Sequence, residues 1–233
     1  MDTGKHASVR QAHGPTSRQE WRTVCRQVAR QRALQEARRA WHLDGEQPVP
    51  FNHRWEHVQE VVGLALRLAA ATHADADTVE AAAWLHDICK LEAEHSVAGA
   101  REAEAILRQT DFPAEKIPSV VAAIRQHEGL FRSAGAPPLQ PLEAAILWDA
   151  DKLSKLGVHA LAFQLSTHHA AGKSLVERRL DVERFAQTVL QRTVANMNTE
   201  PGRQMAERRY QAMMAALAAW AAEEAEAAPV ARQ

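Results

Sequence analysis

Histidine and aspartate side chains occur in this sequence at positions where the surrounding pattern predicts burial. His57 begins a row of apolar residues at helical spacing, so its ring should lie at one end of a buried helix face. His86 and Asp87 follow an apolar run, and Asp151 lies within another. Because a buried carboxylate without a partner is costly, such residues are normally paired or bound to a metal.

Two histidines and two aspartates are a suitable ligand set for a divalent cation. Imidazole nitrogen and carboxylate oxygen suit Mn, Fe, Mg or Zn. With four protein ligands, positions remain for water and for a substrate oxygen. A cation held in this way lowers the pKa of a bound water and neutralises charge on a phosphoryl oxygen. The residues therefore favour hydrolysis of a phosphate ester or anhydride, with His57, His86, Asp87 and Asp151 as metal ligands.

The elements that must position these side chains are predicted to be helices. From Asn52 onward, apolar residues recur at helical spacing, and no alternating stretch is long enough to indicate a strand. Helices are predicted near residues 52–73, 78–88, 95–110, 114–128, 141–156, 157–170, 175–195 and 202–223. We therefore expect an all-α fold, with one domain of packed helices over residues 51–222.

A basic helix is predicted to precede this domain, over residues 17–43. It opens with a capping-box spacing between Ser17 and Glu20. A stripe of arginines at four-residue spacing follows one face: Arg18, Arg22, Arg26 and Arg30. Charge stripes are usually solvated faces, which is the interpretation we favour over a contact with nucleic acid or another partner. Because every candidate ligand lies after Pro50, we expect this helix to be dispensable for the chemistry.

The two ends of the chain and its overall charge complete the organisation. Residues 1–16 are predicted to be a disordered N-terminus and residues 223–233 a flexible tail. With 28 basic and 29 acidic residues in 233, the net charge is −1, which implies no general attraction to nucleic acid or to a membrane. Two cysteines without CxxC spacing indicate neither a disulfide framework nor a thiolate zinc site. A cytoplasmic protein that does not span a membrane is the simplest interpretation.

Three segments, in order, resemble the H…HD…D signature of the HD superfamily of metal-dependent phosphohydrolases. They are His57-Val-Gln-Glu-Val61, His86-Asp87-Ile-Cys-Lys90 and Asp149-Ala-Asp151-Lys-Leu153. The Met-Asn-Thr-Glu segment at 197–200 also resembles the bacterial single-domain branch, so the resemblance covers roughly residues 51–222. It implies a helical HD-domain bundle and metal ligation by His57, His86, Asp87 and Asp151. Asp149 would then orient a ligand rather than bind the metal.

The resemblance also implies roles for residues around this signature. Asp87, Lys90 and His127 would be catalytic, and Lys90, His95 and His127 would bind the substrate phosphate or protonate the leaving oxygen. A solvated lysine and hydrogen-bonded surface histidines are the alternatives. His95 and His127 partly match the second metal site of the two-metal branch, but Gln126 stands where that branch has a histidine. One ion is therefore expected, and a second stays open. His53 could join the rim, whereas His168 and His169 match no motif.

The implied substrate is a small phosphorylated molecule, with a nucleotide as the leading candidate. One alternative is a di-iron oxygenase, a reaction that some superfamily members perform, which would require both His95 and His127 as ligands. Another is a non-catalytic protein that senses a nucleotide and uses the basic helix as a contact. A homodimer is a further alternative, since the apolar side of that helix must be covered.

Overall fold

The computed structural model describes residues 19–133 and 135–227, and helices joined by turns and loops make up this part of the chain. These ranges contain no β-strand, so the all-α prediction is confirmed. The predicted disordered N-terminus, Arg18 and residues 228–233 lie outside them. The helices are α1 (Trp21–Ala40), α2 (His53–Thr72), α3 (Ala76–Leu85), α4 (His95–Leu107), α5 (Ile117–Gln126), α6 (Leu142–Leu153), α7 (Val158–Ser166), α8 (Leu175–Phe185), α9 (Gln191–Ala195) and α10 (Glu200–Glu226).

The start of α1 and the ends of α3 and α10 differ from the boundaries predicted from the sequence. The α1 helix begins at Trp21 rather than at residue 17, because the Glu20 side chain accepts hydrogen bonds from the first free backbone N–H groups. The α3 helix ends at Leu85, so His86 and Asp87 lie in the turns that follow it. The α10 helix continues to Glu226, so the predicted flexible tail is helical at its start.

The apolar face of α1 is covered by the rest of the same chain. This helix packs against α2 and α3, and Trp21, Cys25 and Ala29 belong to the hydrophobic core. The Trp21 ring meets the Phe112 ring edge-on, with centroids 5.1 Å apart. No second subunit is needed to bury this face. On its outer side Arg22 pairs with Asp77 and Glu80, at 2.6 and 2.9 Å.

The α6 helix lies at the centre of the bundle. Every residue from Ala144 to Leu153 is buried, because α2, α3, α5 and α10 pack around it. Such a helix normally carries apolar residues on all sides. The charged residues Asp149, Asp151 and Lys152 are therefore exceptions that need partners inside the protein.

Among the described helices, none combines the length and the apolar character needed to cross a membrane.

Candidate metal centre

Side chains from three elements converge where α2 and α6 approach the turns after α3. His57 lies on α2, His86 and Asp87 in those turns, and Asp151 on α6. The His57 Nε2 atom is 3.3 Å from His86 Nε2 and 3.6 Å from Asp87 Oδ2. It is also 3.3 Å from Asp151 Oδ1. The structure thus brings together all four residues that the sequence selects as metal ligands, and all four are buried.

Hydrogen bonds fix the two histidine rings so that both present Nε2 to this centre. The Ser154 hydroxyl donates to the Asp151 carbonyl at 2.7 Å, so it can only accept from His57 Nδ1, which lies 3.1 Å away. His86 Nδ1 lies 2.8 Å from the Ala83 carbonyl and donates to it. In the neutral rings both Nε2 atoms therefore carry a lone pair. Two lone pairs that face each other at 3.3 Å need a cation or a proton between them.

The donor atoms of His57, His86 and Asp87 lie close enough together to hold a divalent cation, and Asp151 approaches this group through His57. Histidine and carboxylate ligands bind such ions at about 2.0–2.2 Å, so neighbouring ligand atoms around one ion are about 3.0–3.6 Å apart. The distances from His57 Nε2 to the other three donors lie between 3.3 and 3.6 Å. The donor chemistry, nitrogen and oxygen without thiolate, suits Mn, Fe, Mg or Zn.

Burial and nearby charges keep these residues in the protonation states that bind metal. Burial, with help from the Lys155 cation, lowers the pKa of His57 to about 4, and burial lowers that of His86 to about 3. For Asp87, burial would raise the pKa, but His86 and Arg54 outweigh it and hold the pKa well below its ordinary value. At neutral pH the histidines are thus neutral and Asp87 is ionised.

A second group of side chains faces the other oxygen of Asp87. Its Oδ1 atom is 3.3 Å from His127 Nε2, 3.7 Å from His95 Nε2 and 3.3 Å from Lys90 Nζ. Lys90 Nζ is also 3.0 Å from His95 Nε2. These are the three residues that the sequence selects as substrate-binding. Asp87, His95 and His127 form a compact donor group of their own. The Gln126 amide, by contrast, donates to the carbonyls of Ala122 and Gln140.

Arg54 and Glu36 belong to this site, and the sequence analysis missed both. Arg54 Nη1 donates to Asp87 Oδ2 at 2.7 Å. Its Nε and Nη2 atoms bind the two Glu36 oxygens at 2.5 and 2.7 Å. Glu36 lies on α1, so this helix contributes a side chain next to the site, although every candidate ligand lies after Pro50. A signal existed: Arg54 precedes His57 by three residues on one helix face, and Glu36 falls in the buried stripe of α1.

The Asp149 carboxylate binds the segment just before α10 rather than a metal ligand. Its Oδ1 atom accepts from the Asn198 backbone and side chain at 2.8 and 3.0 Å. Its Oδ2 atom accepts from the Thr199 N–H and hydroxyl at 2.8 and 2.7 Å. Thr199 in turn caps α10. The expectation that Asp149 orients a metal ligand is therefore wrong, because both its oxygens fix the start of α10.

Two lysines on and after α6 also contact Asp151. Lys152 is buried, pairs with the Asp151 carboxylate and donates to the His127 carbonyl at 2.7 Å. Lys155 Nζ lies 3.2 Å from Asp151 Oδ1. Lys152 therefore connects the segment that carries His127 to the helix that carries Asp151. The sequence analysis assigned no role to either lysine.

A cavity of about 360 Å³ borders the centre on the His57 side. Arg54 and Lys155 line it, together with residues from α7 and the short helical turn after it. His168 and His169, which match no sequence motif, lie on its wall, and His53 is buried beside them. On the other side of the Glu36–Arg54 pair, a cavity of about 50 Å³ is lined by Lys90 and Asp87.

Comparison with known families agrees with this geometry. The family described as HD domain matches residues 54–156, a range that contains all four candidate ligands. Residues 54–156 of this chain form an HD domain. The resemblance drawn from the three sequence segments is thereby confirmed. Among curated proteins, none shows significant similarity to this chain.

Solved structures share the fold over nearly their whole length. A protein of Lactobacillus plantarum is 22% identical, with 88% of this chain and 97% of that chain covered and a TM-score of 0.60. A predicted HD superfamily hydrolase from an uncultured Thermotogales bacterium is 24% identical, with 87% and 91% covered and a TM-score of 0.57. YpgQ of Bacillus subtilis, in complex with ADP, is 23% identical, with 84% and 97% covered and a TM-score of 0.57. At such identities the likeness shows the fold alone.

Proposed function

We propose that this HD-superfamily protein is a metal-dependent phosphohydrolase that cleaves a phosphate ester or anhydride in a small phosphorylated molecule. The observation that carries the proposal is the pair of Nε2 atoms of His57 and His86, which face each other at 3.3 Å. Both rings are held with Nδ1 as the donor, and two ionised carboxylates lie beside them. A scaffold without metal gains nothing from such an arrangement.

In this proposal His57, His86, Asp87 and Asp151 hold one divalent cation, with Mn, Mg, Fe and Zn as the candidates. When bound, the cation supplies an activated water near neutral pH and neutralises charge on the phosphoryl group. The protein keeps the ligand rings in place through Ser154 and the Ala83 carbonyl. These contacts fix the tautomers, as partners of metal-bound histidines generally do.

Lys90 and His95 are the residues that we assign to the substrate phosphate. The Lys90 side chain is 33% exposed and the His95 side chain 13%, so both can be reached from solvent. Lys90 supplies a point charge, and His95 can donate a proton to the leaving oxygen. His127 is 1% exposed. Its Nδ1 donates to the Ile124 carbonyl at 2.6 Å, so Nε2 faces Asp87 Oδ1 with a lone pair, and in this proposal His127 lies beside Asp87 rather than on the substrate.

A nucleotide is the substrate that we favour. The ADP complex of Bacillus subtilis YpgQ supports this choice, since that protein shares the fold. The cavity of about 360 Å³ is in the size range of small-molecule sites.

A di-iron oxygenase is the second candidate, because Asp87, His95 and His127 form a further donor group next to the first. Asp87 would then belong to both donor groups. The Gln126 amide is bonded to two backbone carbonyls, so this second group offers fewer ligands than the first. A second ion is therefore the feature that separates the two enzymes.

The decisive experiment is a hydrolysis assay on metal-depleted protein reconstituted with Mn, Mg, Co, Fe or Zn, against nucleotides and phosphate monoesters. Phosphate release with at least one metal is expected. Asp87→Ala should lose metal and turnover together, whereas Asp181→Asn, at an exposed aspartate, should retain both. Turnover in metal-free Asp87→Ala would contradict the proposal. Two irons per chain with consumption of O₂ would support the oxygenase, and nucleotide binding without phosphate release would support a sensing role.

A further inference from the structure

A polar cavity of about 260 Å³ lies apart from the metal centre, between the segment that follows α5 and the segment that joins α9 to α10. None of the proposed metal ligands or substrate-binding residues lines it. Its charged lining residues are Arg132 and Arg203, and among the described residues no carboxylate lines it. Glu36, by contrast, lines both cavities beside the metal centre. The potential inside this cavity is therefore positive, which favours an anion.

Arg132 supplies a half-buried guanidinium to this cavity. Its Nη1 atom donates to Asn198 Oδ1 at 2.9 Å, and its Nη2 atom donates to the Pro137 carbonyl at 2.7 Å. Both acceptors are neutral, and no acidic side chain within residues 19–133 and 135–227 forms an ion pair with Arg132. The two hydrogen bonds hold the group in place, and its remaining N–H groups are available to an oxyanion.

Two further arginines add positive charge around this guanidinium. Arg203 lies in the first turn of α10 and pairs with Glu200 at 2.6 Å, with side chains 45% and 63% exposed. An ion pair that is so exposed contributes little, so Arg203 can exchange this partner for a bound anion at low cost. Arg192 lies over the ring of Phe131, the residue before Arg132, with Cζ 3.6 Å from the ring centroid. The region therefore has three guanidinium groups and one exposed carboxylate.

Hydrogen bonds connect the cavity to α6. Asn198, which accepts from Arg132, donates to Asp149 Oδ1 from its backbone N and its Nδ2 atom, at 2.8 and 3.0 Å. Asp149 lies two residues before the proposed ligand Asp151 on the same helix. A molecule that binds Arg132 thus contacts the hydrogen bonds that fix the start of α10 to α6.

We propose that this cavity is a second, non-catalytic site that binds a phosphate-type oxyanion, either free inorganic phosphate or the phosphoryl group of a small molecule. Arg132 is the main ligand, because its charge is unbalanced and its position is fixed, and Arg203 is the second ligand. Guanidinium groups suit this anion, since they stay charged and offer paired N–H donors to its oxygens. The site is additional to Lys90 and His95, and it does not depend on the reaction proposed for the metal centre.

Calorimetric titration of the metal-free, full-length protein tests this site. The probes are inorganic phosphate, ribose 5-phosphate and, as a carboxylate control, acetate, all at equal ionic strength. At least one of the two phosphates should bind about tenfold or more tighter than acetate, because a doubly charged tetrahedral anion engages both guanidinium groups. Tighter binding of inorganic phosphate identifies the free ion as the ligand, and tighter binding of ribose 5-phosphate identifies a phosphorylated small molecule. The same binding should persist in Lys90→Ala, since Lys90 does not line this cavity.

Arginine variants assign the binding to this cavity. Arg132→Gln should lower the phosphate affinity by about tenfold or more, because charge-assisted hydrogen bonds are lost. Arg203→Gln keeps the bond between Arg132 and Asn198 and should lower the affinity by a smaller factor, about threefold. Arg208→Gln, at an exposed arginine of α10 outside the cavity, is the matched control and should change nothing.

Three results would overturn the site. They are affinities for both phosphates no better than for acetate, an affinity that Arg132→Gln leaves unchanged, and binding that is lost in Lys90→Ala. If Arg132→Gln does not fold, Arg203→Gln decides, because an unchanged affinity in that variant would equally overturn the proposal.

Discussion

Arg54 donates from Nη1 to Asp87 Oδ2 at 2.7 Å, and this is the oxygen that faces the two histidines of the metal centre. A guanidinium and a metal ion would therefore share one carboxylate oxygen. Glu36 accepts hydrogen bonds from the other two guanidinium nitrogens. Arg54 therefore stays in place whether Asp87 binds the guanidinium or a metal ion. The first helix is in this way linked to the proposed ligands through two consecutive ion pairs.

Glu36→Gln is expected to destabilise the protein. The Arg54 side chain is 16% exposed, and loss of one partner from a buried ion pair costs about 3–5 kcal/mol. Because Arg54 keeps Asp87, we expect the lower end of that range, measured by urea unfolding of the metal-free protein. Glu223→Gln, at an exposed glutamate on α10, is the control and should change stability by less than about 0.5 kcal/mol. An unchanged unfolding midpoint in Glu36→Gln would show that α1 is not coupled to the site.

Deletion of residues 1–43 is expected to reduce stability more than Glu36→Gln does. It removes Glu36 and also uncovers core surface that Cys25 and Ala29 now bury. The measurement is thermal unfolding of the truncated and full-length chains at equal metal content. A truncated chain as stable as the full-length one would contradict the packing of α1 described above.

Asp149→Asn and Asp151→Asn form a matched pair that separates capping from metal binding. In Asp149→Asn an amide donor faces donors of Asn198 or Thr199, so about two hydrogen bonds are lost, at about 1 kcal/mol each. Its metal affinity should stay unchanged. Asp151→Asn should lower the affinity for Mn by at least about tenfold, measured by calorimetry. Weakened metal binding in Asp149→Asn, with normal binding in Asp151→Asn, would reverse the two assignments.

Lys90→Ala should lower the turnover of phosphorylated substrates by about tenfold or more without loss of metal, because the phosphate loses a positive charge. The measurements are steady-state hydrolysis and metal content per chain. Lys173→Ala, at an exposed lysine that pairs with Asp181, is the control. Loss of metal in Lys90→Ala would show that Lys90 supports Asp87 rather than the substrate.

The metal-free protein should lose stability as the pH falls from about 6.5 toward 4. In the unfolded chain the histidines take up protons near pH 6.5. In the folded chain, burial and nearby charge keep the pKa of His57 at about 4 and that of His86 at about 3. The unfolded state therefore binds more protons in this window, and each imidazole contributes up to about 1.4 kcal/mol of destabilisation per pH unit.

Urea unfolding at several pH values measures this slope. His57→Gln should reduce the slope, since one of the two depressed imidazoles is absent. His73→Asn changes an exposed histidine in the left-handed region, a conformation that asparagine tolerates, and should leave the slope unchanged. A constant stability between pH 6.5 and 4.5 would contradict the burial of neutral imidazoles at this centre.

Much of the fold could be predicted from the sequence, because the signals are local. Apolar periodicity located α2 and α6 within a few residues, and the predicted start of α2 at Asn52 is its observed N-cap. The α3 helix starts two residues before the predicted residue 78, because Asp75 caps it. The end of α3 was misplaced because the sequence has no Gly or Pro after Leu85 to mark where the helix ends and the turns begin. In the same way, Glu20 rather than Ser17 caps α1.

The sequence by itself determined the donor types, since histidine and aspartate inside apolar helical runs are costly unless something binds them. Only the tertiary structure decided which carboxylate serves which purpose. Asp149 and Asp151 are two residues apart on α6, and a helix turns about 100° per residue, so their side chains point in different directions. Asp149 therefore meets the start of α10, and Asp151 meets His57. It also decided that Glu36 reaches Arg54. That contact joins residues 18 positions apart across two helices, and its existence depends on how α1 packs on α2 rather than on any local pattern.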